Sequence, residues 1–366
     1  MDEIVSYAGV PLVQKEAGIM KDIGRLVGQA LTVIPEIKPM EIGFTARDNH
    51  VTGLAIWARV VIGGVDEIID LALGLLHLES LFFGFMLAER ISPKIGELKN
   101  LKHLNLSGNA FKEIPSEIGN LSKLESLVLS SNQLRSIPDS IGSLSNLQLL
   151  DLSGNHVSAL PDALGKLSKL KVLDVGINIL REIPASVGNL AVLERLVLND
   201  NLLEDLPACI SSLPVQELDL KTNQLATIPA CIFKIVSLRV LDLSGNQLAS
   251  IPEEIGNLKS LTGMHARNNN LVVIPASINQ LAKLVELDLS MNDVEQVPGD
   301  IGSMSTLRVL KLEYNKIRTV PVDLAKNRSL QLLDLRGNKD LALPDGLASQ
   351  MSFTEIKIHR KITSIT

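Results

Sequence analysis

The sequence has few aromatic residues, only two cysteines and no long run of charge of one sign. Aromatic residues make up 3% of the 366 residues although 46% are hydrophobic, so leucine, isoleucine and valine must build the core. The net charge of -6 comes without the clusters of lysine and arginine that binding to a nucleic-acid backbone requires. We therefore expect an aliphatic core and no nucleic-acid partner.

The cysteines, Cys209 and Cys231, lie in two successive PACI segments. Duplication of a repeat explains this spacing better than a disulfide or a metal-binding framework does. Three histidines are expected to face inward, but they stand many repeats apart, whereas a zinc site needs its ligands together; they are His103, His265 and His359. We expect two free thiols, no metal site and no cofactor.

Residues 68–87 form an apolar stretch in which Asp70, His77 and Glu79 are interspersed. Such polar groups are costly inside a bilayer, so no membrane span is expected. The N-terminal segment MDEIVSYAGVPLV lacks the basic segment and apolar run of a secretory signal, which favours a cytoplasmic location.

One pattern recurs through most of the chain. Residues 144–166, LSNLQLLDLSGNHVSALPDALGK, contain leucine at offsets one, four, seven and nine, asparagine at offset twelve and proline at offset eighteen. Eleven such units run from residue 98 to residue 349, ten with 23 residues and one, residues 213–234, with 22. A period in the twenties is typical of a solenoid, in which each unit buries its apolar face against its neighbours.

Within a unit, the apolar offsets seven and nine alternate with outward positions at six, eight and ten, as in a short strand. The proline fixes its own φ and keeps the preceding residue extended, which disfavours an α-helix on the opposite side. The pattern predicts an α/β-type repeat solenoid, a curved horseshoe with a parallel concave sheet and a convex side that is mostly extended or 3₁₀.

The chain ends depart from the repeat, as capping segments do. A helix is predicted over residues 12–31, with an apolar face made of Leu12, Ile19, Ile23, Leu26, Val27 and Ala30. The predicted segments are an N-terminal helical cap and opening strand (1–50), degenerate leading repeats (51–97), the eleven repeats (98–349) and a C-terminal capping strand (350–366).

An asparagine stands at offset twelve of every regular unit, where the chain turns inward. Its amide can satisfy the buried peptide groups of that bend, which predicts a structural ladder and makes a binding role the weaker reading. The ladder comprises Asn109, Asn132, Asn155, Asn178, Asn201, Asn223, Asn246, Asn269, Asn292, Asn315 and Asn338.

Offset eight carries an interrupted row of acids on the predicted concave face. The candidate partner-binding residues there are Asp151, Asp174, Asp219, Asp242 and Asp288, with Arg195 as a nearby counter-charge. Like charges on neighbouring strands are destabilising, so nearby groups or a cationic partner must offset them. Two further readings stay open: each Asp bonds a nearby serine such as Ser153, Ser244 or Ser290 as part of the repeat pattern, or the row binds a divalent cation.

Apolar side chains are expected among these charges in two places. They are Val128, Leu149 and Val172 in the first third, and Val309, Tyr314 and Leu332 near the end. Exposed apolar groups among charges indicate an interaction surface, although aliphatic residues also simply suit parallel strands. Trp57 and Phe82 are candidate aromatic anchors that the N-terminal cap could instead bury.

The unit LxxLxxLxLxxNxLxxIPxxIGx, repeated eleven times, resembles the leucine-rich repeats of the 23-residue Ras-group type. The segment DNHVTGLAIW is similar to the first strand of cytosolic archaeal and bacterial members. The resemblance implies protein binding on the inner face, often to small GTPases or phosphatases, and it implies no catalytic residue.

These observations favour a non-enzymatic scaffold that binds a partner protein on the concave face. The alternative is a regulatory subunit of a small GTPase or phosphatase, or an enzyme activity in residues 1–97, which the repeat does not explain. A pocket with convergent titratable groups in that segment would distinguish the second possibility.

Overall fold

The computed structural model describes residues 3–38, 40–57, 64–351 and 354–358. The chain divides into two compact units, Met1–Leu193 and Glu194–Thr366.

The first unit begins with an antiparallel hairpin and a helix: β1 (Ile4–Tyr7), β2 (Val10–Val13) and α1 (Gln14–Val27). The helix is shorter than the predicted 12–31. It starts after β2 pairs with β1, and Gly28 ends it in the left-handed conformation, with φ at 79°. The buried face also differs from the predicted one by including an acid; it consists of Glu16, Ala17, Met20, Ile23, Gly24 and Val27.

A second hairpin starts the main sheet of this unit. It joins β3 (Gly43–Arg47) to β4 (His50–Trp57) through Asp48 and Asn49, both with positive φ. From β4 the strands are parallel and follow chain order: β5 (Ser80–Gly84), β6 (His103–Asn105), β7 (Ser126–Val128), β8 (Leu149–Asp151) and β9 (Val172–Asp174).

The segment predicted as degenerate repeats contains one repeat that is longer than the regular 22 or 23 residues. Leu54 in β4 pairs with Leu81 in β5, 27 residues later, and helix α2 (Val65–Ala72) lies in the connection. Residues 58–63 of this predicted segment lie outside the described residues.

The second unit repeats the parallel arrangement in chain order. Its strands are β10 (Arg195–Val197), β11 (Glu217–Asp219), β12 (Val240–Asp242), β13 (Gly263–His265), β14 (Glu286–Asp288), β15 (Val309–Lys311), β16 (Leu332–Asp334) and β17 (Glu355–Lys357). A short helix, α3 (Leu347–Gln350), precedes β17. Within the predicted C-terminal cap, residues 352–353 and 359–366, including His359, lie outside the described residues.

Short 3₁₀-helices return the chain on the other side, as the prolines predict. They are Pro93–Glu97, Ser116–Asn120, Asp139–Ser143, Asp162–Lys166, Ala185–Asn189, Ala208–Ser212, Ile232–Lys234, Glu253–Asn257, Ala276–Gln280, Gly299–Ser303 and Val322–Lys326. Between strands and 3₁₀-helices lies the aliphatic core: Leu150 and Leu152, at offsets seven and nine, are fully buried, and their equivalents are buried in each repeat. The predicted repeat solenoid, with parallel strands on one side and 3₁₀-helices on the other, is therefore confirmed.

Candidate functional site

The asparagine at offset twelve joins successive turns of the solenoid. Asn246 Nδ2 donates to the carbonyl oxygens of Leu220 and Leu243, each at 3.0 Å, and its Oδ1 accepts from the Leu225 N–H at 3.0 Å. Asn155, in the first unit of the chain, makes the equivalent hydrogen bonds. Its Nδ2 donates to the carbonyl oxygens of Leu129 and Leu152, and its Oδ1 accepts from the Leu134 N–H. All eleven ladder asparagines are buried. The amides of Asn155 and Asn246 are thus occupied by backbone groups of their own and neighbouring repeats.

The outward residues of β7, β8 and β9 form what we call the first strand patch: Val128, Leu149, Asp151, Val172 and Asp174. Leu149 stands opposite Val172, and Asp151 stands opposite Asp174 on the neighbouring strand. Val128 flanks Asp151 on the other side. All five side chains are partly exposed, so the structure places an apolar pair beside an acidic pair on a surface open to solvent.

Each acid of this patch also supports the turn after its strand. Asp151 Oδ1 accepts hydrogen bonds from the Ser153 backbone N–H at 2.9 Å and from the Ser153 hydroxyl at 2.7 Å. Asp174 Oδ1 accepts from the Gly176 N–H at 3.0 Å. The expected hydrogen bond to a neighbouring serine is therefore present at Asp151. Both acids accept a hydrogen bond from the backbone N–H of the residue two positions later in the chain.

A neutral side chain performs the same support in the preceding strand. Asn105, at offset eight of β6, accepts from the Ser107 N–H at 3.0 Å and from the Ser107 hydroxyl at 2.7 Å. The turn therefore requires a carbonyl-type oxygen and not a negative charge. No lysine or arginine among the described residues forms an ion pair with Asp151.

The second unit holds another acidic pair, Asp219 opposite Asp242. A small cavity of about 180 Å³ is lined by these two acids together with Arg195, Glu217 and His265. Arg195 Nε lies 3.4 Å from Glu217 Oε2, so the predicted counter-charge pairs with a glutamate instead of with the aspartates. The pKa of the Asp219 carboxyl is raised, mainly because the group is buried. The hydrogen bond from the Lys221 backbone N–H lowers this pKa, and the charge of Asp242 raises it further.

Replacing Asp242 by asparagine is expected to lower the pKa of Asp219 and to stabilise the fold slightly at neutral pH. A raised folded-state pKa means that ionisation of Asp219 costs stability as the pH rises through that pKa. Asp242→Asn removes one cause of the rise, yet it keeps an oxygen for the Ser244 N–H at 2.8 Å. We expect a gain below about 1 kcal/mol, since the pair is partly exposed.

The pKa of Asp219 can be read from its side-chain carbonyl signal in a pH titration by NMR, and the stability from urea denaturation at pH 7. The exposed Asp345→Asn is the control and should change neither quantity. An unchanged Asp219 pKa in Asp242→Asn would show that the two carboxyls do not interact.

Asp288 differs from the other acids of the predicted row. It is only 7% exposed, and its carboxylate lies 3.7 Å from Lys311 Nζ, which also contacts Glu286 Oε1 at 2.6 Å. The hydrogen bond to Glu286 is the main cause that raises the Lys311 pKa. His265, Glu286 and Asp288 are close enough to share a metal ion, but the Lys311 ammonium already supplies the positive charge there. Asp288 is therefore less accessible than the other acids of the predicted row, which are partly exposed.

The apolar residues near the end separate into two places. Val309 and Leu332 stand opposite each other on β15 and β16 and are partly exposed. Tyr314 instead lies over Gly337, beyond the strands, and borders a cavity of about 690 Å³ with Leu341, Leu343 and Ile358. The sequence grouped Tyr314 with the strand residues because it could not show which way the turn directs the ring.

The candidate aromatic anchors are neither fully buried nor fully free. Trp57 and Phe82 are partly exposed, and the Trp57 ring contacts Phe85 with a centroid distance of 5.1 Å. Phe85 and Leu87, which sequence reasoning missed, are exposed and have positive φ. In the regular repeats, the position equivalent to Phe85 precedes the ladder asparagine, and several repeats have glycine at that position. A bulky aromatic residue where other repeats have glycine is the sequence feature that could have indicated an exposed ring.

None of the helices within residues 3–38, 40–57, 64–351 and 354–358 is long and apolar enough to cross a bilayer. Cys209 and Cys231 are both free thiols. Burial raises the pKa of the Cys231 thiol to about 11, which leaves it protonated and unreactive at neutral pH.

Two family models match the chain. One, described as a leucine-rich repeat region, matches residues 215–311; the other, described as a leucine rich repeat, matches residues 77–134, 99–157 and 122–180. A search of curated proteins gave no significant match.

Several solved structures are similar to the chain over most of its length. A leucine-rich-repeat protein of Leptospira interrogans is 25% identical with a TM-score of 0.64, covering 93% of this chain and 98% of that one. The Arabidopsis receptor kinase HAESA, solved with the peptide hormone IDA and the co-receptor SERK1, is 26% identical with a TM-score of 0.73, covering 94% of this chain and 62% of that one. An internalin of Listeria monocytogenes is 22% identical with a TM-score of 0.65, covering 75% and 80%, and shows the fold alone.

Proposed function

Because this chain is a leucine-rich-repeat protein, we propose that it is a non-enzymatic scaffold whose first strand patch binds a basic and apolar segment of a partner protein. Proteins with this fold commonly serve as interaction scaffolds, and HAESA was solved with a peptide hormone bound. The observation that carries the proposal is the comparison of Asp151 with Asn105. Each residue accepts the same two hydrogen bonds in the equivalent turn of its own repeat, but only Asp151 carries a negative charge.

That charge has a cost in the unbound protein. Asp151 and Asp174 stand side by side on adjacent parallel strands, where like charges repel. Asparagine at either position would keep the turn without the repulsion. A cationic partner would convert the repulsion into attraction, and such complementary charges raise the rate of association and select the partner.

The apolar half of the patch continues beyond the strands. Leu149 and Val172 are partly exposed, while Ile177 and Ile179, just after β9, are 57% and 46% exposed. Exposed aliphatic groups rimmed by charge are typical of protein-binding surfaces. Ile177 is also held at φ 53°, a conformation unfavourable for a β-branched residue.

Replacing Ile177 by glycine should stabilise the free protein and weaken partner binding. The left-handed conformation costs a non-glycine residue roughly 1 to 2 kcal/mol, and glycine removes this strain. Glycine also loses more conformational entropy on folding, which offsets part of the benefit, so we expect a net gain in stability of up to about 1 kcal/mol. Gly154 holds the equivalent position one repeat earlier at φ 65°, where an added Cβ would meet only ordinary contacts. The matched control Gly154→Ala should therefore change stability in the opposite direction.

Thermal or urea denaturation measures both variants. Equal stability of Ile177→Gly and the wild type would show that the isoleucine carries no backbone strain. Improved stability with undiminished partner binding would remove Ile177 from the proposed surface.

The class of partner is a further part of this proposal. By resemblance to the Ras-group repeats we propose a small GTPase or a phosphatase as the partner, a signalling role and a cytoplasmic location for the protein. The alternative is an enzyme activity in residues 1–97, where Asp66, Asp70 and Arg90 border a cavity of about 410 Å³.

The proposal is tested by affinity capture from the native cell with three baits: wild type, Asp151→Asn/Asp174→Asn and Leu149→Ala/Val172→Ala. A protein retained by the wild type and reduced on both variants supports binding at the first strand patch. Equal retention on all three baits would place the interaction elsewhere on the molecule.

A further inference from the structure

We infer that Glu16, His50 and His77 form a binding site for one divalent transition-metal ion of the zinc class. Glu16 lies in the first turn of α1, His50 begins β4, and His77 lies in the turn between α2 and β5. Glu16 Oε1 lies 2.9 Å from His50 Nδ1 and 3.3 Å from His77 Nδ1. Three segments distant in sequence thus bring one carboxylate and two imidazoles together.

The separations lie close to those around a four-coordinate ion, and the 2.9 Å between Glu16 Oε1 and His50 Nδ1 has to lengthen by about 0.4 Å when the ion binds. Zinc bonds to imidazole nitrogen and carboxylate oxygen at about 2.0 to 2.2 Å, which places neighbouring ligand atoms of a tetrahedron about 3.3 to 3.5 Å apart. The three candidate ligand atoms all lie within 4.8 Å of one another. Two histidines and one carboxylate leave a fourth position for water, and this ligand set suits zinc better than magnesium or calcium.

Burial of the carboxylate supplies the energetic reason for a cation. Glu16 is 6% exposed, and its only ion-pair partners among the described residues are the two imidazoles. A buried carboxylate is costly unless a positive charge or a metal compensates it. A second cluster of this type among the described residues, His265 with Glu286 and Asp288, contains the Lys311 ammonium, whereas no lysine or arginine of the described residues forms an ion pair with Glu16.

The supporting contacts orient the ligands. Glu16 Oε2 accepts a hydrogen bond from the Val51 N–H at 2.7 Å, which fixes the carboxylate, as outer contacts of metal ligands do. The two imidazole rings stack with centroids 3.6 Å apart and planes inclined by 25°. Because the rings are nearly parallel, the lone pairs of the two nitrogens point in similar directions and do not converge on one point. One ring must therefore rotate before both nitrogens can bind the same ion. The His77 side chain is 48% exposed and has the space to do so, which also gives the ion its route from solvent.

The test is calorimetric titration of the tag-free full chain, stripped with a chelator, with zinc chloride. We expect one ion per chain and a higher thermal midpoint with zinc, because the ion links α1 to β4 and to the turn before β5. Cobalt(II) in the same site should give the strong visible absorption of a four-coordinate complex. His77→Ala should weaken zinc binding by at least about ten-fold, since even loss of an outer-shell partner costs roughly 10- to 100-fold in affinity.

His265→Ala is the matched control, because it removes a histidine from the cluster already neutralised by Lys311. Its zinc affinity should equal that of the wild type. His77 is exposed, so its replacement leaves the fold intact, and circular dichroism of the variant verifies this. Absence of saturable zinc binding by the wild type, or equal zinc binding by the wild type and His77→Ala, would overturn the inference.

Discussion

Asn246→Ala is expected to lower the free energy of unfolding by about 1 to 3 kcal/mol, because it removes partners from buried backbone groups. The lost amide leaves the N–H of Leu225 without its hydrogen bond. It also removes one of the two amide donors from each of the carbonyl oxygens of Leu220 and Leu243, which keep only the bonds from Asn223 and Asn269. Asn155→Ala should have a similar effect in the first unit, since its hydrogen bonds are equivalent. The midpoint of urea denaturation measures both changes.

Asn257→Ala is the control for this prediction. Asn257 is exposed at the end of a 3₁₀-helix in the second unit, so its replacement should change the free energy of unfolding by less than about 0.5 kcal/mol. If Asn246→Ala and Asn257→Ala denature together, solvent must satisfy the backbone groups that the ladder now occupies.

The repeated part of the fold could be predicted because each repeat restates the same physical requirements. Alternating leucines can be buried only in short strands, and the proline excludes an α-helix on the other side. Thus Leu150 and Leu152 in the core and the 3₁₀-helix Asp162–Lys166 follow from spacing alone.

The N-terminal elements could not be predicted in the same way, because no repeat averages out their local ambiguity. The β1–β2 hairpin turns at Ala8 and Gly9, which both adopt positive φ, and alanine gives no sequence signal for that conformation. The apolar pattern predicts a helix here, but the predicted buried face does not include the acid Glu16. It is buried because the β3–β4 hairpin brings His50 and the Val51 N–H onto it.

The candidate site shows a similar division. The facing pairs Asp151 with Asp174 and Leu149 with Val172 follow from the 23-residue period. The contact between Lys311 and Asp288 depends on the direction that a long side chain takes across the strands, which a pattern of offsets does not specify. The strained Ile177 is detectable in hindsight, since glycine holds its position in several other repeats.

The acidic and apolar halves of the first strand patch should affect partner binding through different rate constants. Charge acts before contact, so removing it changes the association rate; apolar burial forms only in the complex, so removing it changes the dissociation rate. Asp151→Asn/Asp174→Asn should slow association on the order of ten-fold at low salt and weaken its salt dependence. Leu149→Ala/Val172→Ala should accelerate release by an amount worth about 1 to 3 kcal/mol.

Asparagine is the informative replacement because it changes charge alone. Lysine would also remove the oxygen that accepts the Ser153 and Gly176 N–H groups, so a slower association could then reflect a disturbed turn. Asn105 shows that asparagine supports this turn with the same two hydrogen bonds. Surface plasmon resonance with the captured partner, over a range of salt, separates the two rate constants. If the asparagine variant associates at the wild-type rate in low salt, the acids serve only the turn, and recognition must rest on Leu149, Val172 and Ile177.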